Sequence, residues 1–137
     1  MFGGMFGKNL EILAREMDIS VLRRDVIANN VANADTPNFK RSVVNFESQL
    51  KRALDSERAE RFPQYVTDSR HIVFDKPMRW QDVAPRRVLD YLTEAKNNGN
   101  NVDIEEEGMD SLNNQLLYTT LAQVVSSEFQ RVNIVLR

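Results

Sequence analysis

Three features of this 137-residue sequence have the residue types that chemistry needs: the run Glu105-Glu106-Glu107, the single histidine His71 between Asp68 and Asp75, and the basic pairs Lys40-Arg41, Lys51-Arg52 and Arg86-Arg87. Consecutive residues of a helix point about 100° apart, so the three glutamates do not converge on a metal or share a proton. Their place suits the first turn of a helix, where the positive end of the dipole favours carboxylates. His71 has a partner in either aspartate, but no nucleophile or second ligand stands with it, so catalysis is not expected there. The basic pairs are each balanced by nearby acids and fit a solvated face or a salt bridge between subunits. There is no cysteine, which excludes thiolate sites and disulfides. The net charge of −2 gives no footprint for nucleic acid. No enzyme activity, metal, cofactor, nucleic acid or small-molecule substrate is expected.

With no chemistry to position, the information lies in the elements themselves. Hydrophobic content of 42% and charged content of 28% are ordinary for one soluble domain. No apolar run reaches membrane-spanning length, and the opening Met-Phe-Gly-Gly-Met-Phe-Gly-Lys lacks the apolar core of a cleaved signal. Phe2 and Phe6 among Gly3, Gly4 and Gly7 describe either a disordered tail or aromatics that insert into a neighbour.

Apolar periodicity predicts a first helix from about Lys8 to Asn33 with two stripes instead of one. Leu10, Leu13, Met17, Ile27 and Val31 form the first; Ile12, Ile19, Leu22 and Val26 lie nearly opposite. Charged seams separate them (Glu11, Arg15, Asp18 and Asp25; Glu16 and Arg23), so the helix needs two neighbours. One is either another subunit or more of its own domain. Asn29, Asn30 and Asn33, interleaved with alanines, are poor helix formers that suit a tight polar contact. Asp35, Thr36 and Pro37 then stop the helix.

The middle, 40–98, reads as irregular. A short helix is expected from Arg41 to Leu54 and another from Val88 to Ala95, with β candidates at Gln64–Thr67 and His71–Phe74 and a turn at Asn97–Asn101. The last helix starts near Asp103. From Ser111 to Ser127 it carries no charged residue, over about 25 Å. Leu117, Tyr118, Leu121, Val124, Val125, Phe129 and Val132 make a broad apolar face; Thr119, Gln123, Ser126 and Gln130 make the opposite one, polar but neutral. A solvated face normally carries Lys and Glu, so this one is expected to meet other helices. The fold expected is mainly α in three parts of one domain, 1–39, 40–98 and 99–137.

The stretch Arg23–Lys40, with its core Asn30-Val31-Ala32-Asn33-Ala34-Asp35-Thr36-Pro37 followed by Phe39, resembles the N-terminal motif of the flagellar rod and hook axial proteins. Gly99-Asn100-Asn101-Val102-Asp103 is similar to the stretch before the C-terminal helix of the short proximal rod proteins of that family. The resemblance covers the two terminal thirds. It implies a structural subunit of the basal-body rod whose long terminal helices pack as a coiled-coil-like pair facing the rod channel and assemble helically. It also implies a rod in the periplasm, export without a cleaved signal through the flagellar type III apparatus, torque transmission for motility, and a set of partners. Those are further copies, other rod proteins, the adaptor at the rod base, the MS ring and the export gate. Either of the short rod proteins of this family, or a helical adaptor or chaperone of flagellar secretion, fits the same helices. One position departs from the family: Gly108 stands where a methionine is usual, which marks a kink or a delayed helix start.

Overall fold

The computed structural model describes residues 5–58, 67–68, 70–71 and 78–136. Two helices dominate it. Helix α1 spans Met5–Ala32 and helix α3 spans Ile104–Val135, about 42 and 48 Å at 1.5 Å per residue. Between them come strand β1 (Ser42–Asn45), helix α2 (Glu47–Arg58), a 3-10 turn (Trp80–Asp82) and strand β2 (Arg86–Leu89). The chain is mainly helical with a short-stranded middle, as the sequence predicts.

The chain forms two compact units. One comprises residues 1–44 and 87–137, the other 45–86. In the first, α1 and α3 pack on each other, and β1 pairs with β2 in a two-stranded sheet. Ser20 meets Asn114 while Asn30 meets Glu107, so the two helices run antiparallel. In the second unit α2 packs against the 3-10 turn, where Phe46, Ala53, Trp80 and Val83 are buried. The Ser56 hydroxyl donates there to the Ala53 carbonyl at 2.7 Å.

Helix α3 begins as its sequence predicts. The Asp103 carboxylate accepts the Glu105 N–H at 2.9 Å, satisfying one of the free donors of the first turn. Gly108 neither delays nor breaks the helix, which is continuous through it, and a Cβ placed there would meet nothing within 4 Å. Gly108→Ala is therefore expected to raise the unfolding free energy by about 0.5–1 kcal/mol, read from a chemical denaturation midpoint.

The middle differs from expectation at two places. Residues 42–45 are a strand, not the start of a helix at Arg41; Ser42 and Val44 turn inward and Val43 and Asn45 outward, and helix begins only after Phe46. Residues 86–89 are likewise strand. The helix expected from Val88 to Ala95 cannot form because the Asp90 carboxylate captures the N–H groups of Leu92 and Thr93 at 3.0 and 3.3 Å. In both places residues expected in a helix pair instead with a strand distant in sequence, which no local window contains, and after Leu89 the Asp90 turn adds a local reason. The strand candidates at 64–67 and 71–74 lie outside the described residues except for Thr67 and His71, neither of which is in a strand. Phe2, Gly3 and Gly4 also lie outside them, and Gly7 is already helical.

Candidate functional site

The two sequence motifs meet. Helix α1 ends at Ala32, the Asn33 and Ala34 N–H groups serve the carbonyls of its last turn, and the carbonyls of the turn that follows find their donor in Asn100. Its amide nitrogen reaches the carbonyls of Asn33, Ala34 and Thr36 at 2.9, 3.0 and 2.8 Å. Its own Oδ1 accepts the Val102 N–H at 2.7 Å, which fixes the side chain from the other end. Asn101 bridges the next layer: Oδ1 accepts the Arg41 N–H at 2.6 Å, and Nδ2 donates to the Asp90 carbonyl at 2.8 Å. Backbone pairs complete the seam, Asn38 N–H to Asn98 O and Asn101 N–H to Phe39 O. Gly99 belongs here by necessity. Its φ is +77°, and a Cβ would lie 2.6 Å from Asn38 Oδ1.

Next to this seam lies a charged core. Asn30 is fully buried; its amide donates to the Ser42 carbonyl at 2.9 Å and to Glu107 at 3.0 Å, and its oxygen accepts the Ser42 N–H at 3.0 Å. Glu107 is 1% exposed and Arg41 8%. The Arg41 guanidinium lies 2.7 Å from Glu106, 3.2 Å from Glu107 and 3.5 Å from Asp110, so one cation serves three carboxylates of the first two turns of α3. Burial pushes the Glu107 carboxyl above the usual range, against the opposing effects of the Asn30 hydrogen bond and the Arg41 charge. Burial lowers the Arg41 pKa, but the hydrogen bond to Glu106 and the charges of Glu107, Glu106 and Asp110 outweigh it, and the net shift is upward.

Among the described residues of the first unit the buried apolar ones are six (Ile19, Val26, Ile27, Ala34, Val44, Val102) and the buried polar ones eight (Ser20, Asn30, Arg41, Ser42, Asn100, Asn101, Glu107, Asn114). A core so polar depends on its buried polar groups finding partners, because each one left unpaired is costly.

Most motif residues expected at the assembly surface have partners within the chain. Asn30, Asn101 and Val102 are buried, and Asp103 caps α3. Asn33 bonds the Asn29 carbonyl, and Asn29 accepts from Arg87 at 3.2 Å. Asp35 pairs with Lys96 at 3.2 Å. Thr36 and Pro37 are exposed and Phe39 half-buried, all three in the turn that Asn100 holds. The α3 residues stand otherwise. Leu117 and Leu121 are half-buried, while Tyr118, Gln123, Val124, Ser126 and Phe129 are exposed, as are Thr119 and Gln130 of the neutral face. No described residue of α3 after Asn114 is buried. On α1, each expected stripe is buried only in part, Ile27 in the first and Ile19 and Val26 in the second, while Val31 and Leu22 stay exposed.

The residues that sequence reasoning misses are Asn100, Arg41 and Glu107. The sequence puts Arg41 on a solvated face or in a salt bridge between subunits, yet it is buried within one chain. The helix dipole accounts for the whole glutamate run, yet its third member turns inward. A weak signal exists: Glu107 lies seven residues before Asn114, on the same face of α3. The residues are brought together by elements far apart in sequence.

Known proteins are similar to this chain over the first motif and over nearly its whole length. The family profile described as flagella basal body rod protein matches residues 22–40. The flagellar basal body rod protein FlgB of Borrelia hermsii is 41% identical over 97% of this chain and 98% of its own. The FlgB proteins of Borreliella burgdorferi and Bacillus subtilis are 39% and 30% identical, each over 96% of this chain and over 98% and 95% of their own.

Proposed function

Since the chain belongs to the FlgB family of flagellar basal body rod proteins, we propose that it is a structural subunit of the proximal rod, assembling helically through its terminal helices. One observation carries this. Between Ser111 and Ser127 helix α3 has no charged residue, and yet Leu112, Leu116, Tyr118 and Val124 are 38–57% exposed in the single chain. An uncharged surface with that much apolar area is suited to contact with other helices, not to water. The two motifs have another task. They fasten the end of α1 to the start of α3, and so fix the direction in which the uncharged helix is presented. The terminal parts 1–39 and 99–137 thus supply the long helices of the assembly, and 40–98 connects them.

The same reading places the subunit in the basal body, in the periplasmic rod, after export without a cleaved signal. Its neighbours there are copies of itself, other rod proteins, the base adaptor, the MS ring and the export gate. Its work is mechanical, carrying torque from the motor toward the distal rod.

Gln123→Glu and Ser126→Glu test the assembling face. Both positions are exposed, so each variant is expected to fold and be exported normally. Rod incorporation is expected to fall about tenfold or more, because a carboxylate buried at a contact loses its hydration. Full motility and normal rods in both variants would show that this face is solvated.

A further inference from the structure

We infer that copies of this chain join head to tail by seating the turn Asp90–Thr93 of one copy in the groove between α1 and α3 of the next. The inference rests on the reading of the chain as an assembling subunit and adds a specific contact to it.

The turn is built to present apolar side chains. Leu92 is 97% exposed and Tyr91 69%, yet the backbone beneath them is held from several directions. Asp90 accepts the Leu92 and Thr93 N–H groups, and its other carboxylate oxygen accepts the Thr93 hydroxyl at 2.6 Å. The Asp90 N–H donates to the Arg41 carbonyl at 3.0 Å, and Asn101 donates to both the Asp90 carbonyl and the Thr93 hydroxyl. A leucine held this firmly in water gains nothing within its own chain. The ordering cost of its backbone is already met before any contact forms, which favours binding.

The groove has the complementary character. It holds about 450 Å³, room for a pair of side chains, between Ser20, Val21, Arg24, Asn114, Tyr118 and Thr119. Ser20 and Asn114 satisfy each other across its floor, hydroxyl to amide oxygen at 2.9 Å and amide nitrogen to Ser20 carbonyl at 2.8 Å. An apolar occupant therefore covers them without leaving a polar group unpaired. Val21 and Tyr118, 39% and 40% exposed, supply apolar walls. Charge agrees as well. Arg24, whose contact with Asp25 is a loose 3.9 Å between two exposed side chains, stands at the rim of an otherwise uncharged wall. The turn carries acids at both ends, Asp90 and Glu94. Turn and groove are different patches of one compact unit, so the contact is heterologous: each copy offers a turn to one neighbour and a groove to another. Such contacts propagate in open helices and do not close into symmetric pairs.

The chain has no cysteine, which makes crosslinking unambiguous. In cells whose only copy of the protein is Leu92→Cys with Thr119→Cys, basal bodies are isolated, oxidised and run without reductant. A ladder of covalent multimers is expected, absent from either single variant. A second arm uses charge: Arg24→Glu is expected to lower the protein recovered in basal bodies about tenfold, and Glu94→Arg in the same chain is expected to restore it. Protein present in basal bodies but without a ladder, or crosslinked through the Leu92→Cys thiol to a different rod protein, overturns the contact, as does failure of Glu94→Arg to restore. Absence of the unaltered chain from basal bodies would instead overturn the rod assignment itself.

Discussion

Arg41→Met is expected to cost about 3–5 kcal/mol of folding stability near neutral pH, the usual penalty for removing one partner of a buried ion pair. Methionine retains much of the stem and its packing, so the loss is mostly electrostatic. Without the guanidinium, Glu107 stays buried at 1% exposure with Asn30 as its hydrogen-bonding partner and with Glu106 and Asp110 nearby as like charges. The pH dependence follows from the direction of the Glu107 shift. Its folded pKa is raised above the unfolded value, so the folded state binds the proton more tightly. Its contribution to stability is therefore greatest below the ordinary carboxylate range and falls as pH rises through the raised folded value. Loss of Arg41 pushes that value further up. The difference between variant and wild type should accordingly shrink as pH is lowered from neutrality toward the carboxylate range. It should also shrink at neutral pH when Glu107→Gln accompanies Arg41→Met. Denaturant unfolding of the four proteins, as a double-mutant cycle at two pH values, measures both effects. A penalty that does not change with pH would mean that Arg41 acts by packing alone.

Asn30→Leu is expected to cost about 2–4 kcal/mol, although leucine is apolar, similar in size and a better helix former. At most positions of a helix with two apolar stripes such a change would be mild. Here Asn30 bonds both the N–H and the carbonyl of buried Ser42, and it donates to Glu107 as well. Each buried group left unpaired costs about 1–3 kcal/mol. The same change at Asn29, which is exposed and whose side chain meets the exposed Arg87, should cost less than about 0.5 kcal/mol. Equal effects at the two positions in thermal or denaturant unfolding would contradict the network described for Asn30.

How far the sequence announces this fold varies by element, for physical reasons. The terminal helices are legible because their signals are local: 3.6-residue periodicity, the Asp103 cap, the Thr36-Pro37 stop. The tight polar contact expected of the asparagines also exists, but its other side is Ser42, Glu107 and Asn100, and none of these can be paired with it by spacing. The short strands are illegible for a similar reason, since Val43-Val44 resembles the start of a helix until Arg86–Leu89 is brought beside it. Glu107 shows the limit most sharply. The rule that acids favour a helix start explains Glu105, Glu106 and Glu107 equally well, and so cannot reveal that one of the three is buried. The uncharged face of α3 is legible for the opposite reason. Absence of charge over so long a helix is a property of composition, and no partner need be known to see it.

Whether that uncharged face meets other helices decides the assembly, and a cryo-electron microscopy map of isolated basal bodies reads it without an intermediary. Asn30, Arg41 and Glu107 are expected to meet within one subunit, while Gln123, Ser126 and the exposed leucines of α3 lie against helices of neighbouring subunits. A map with the surface from Ser111 to Ser127 open to solvent, or with Glu107 paired to the arginine of another subunit, would contradict this assembly.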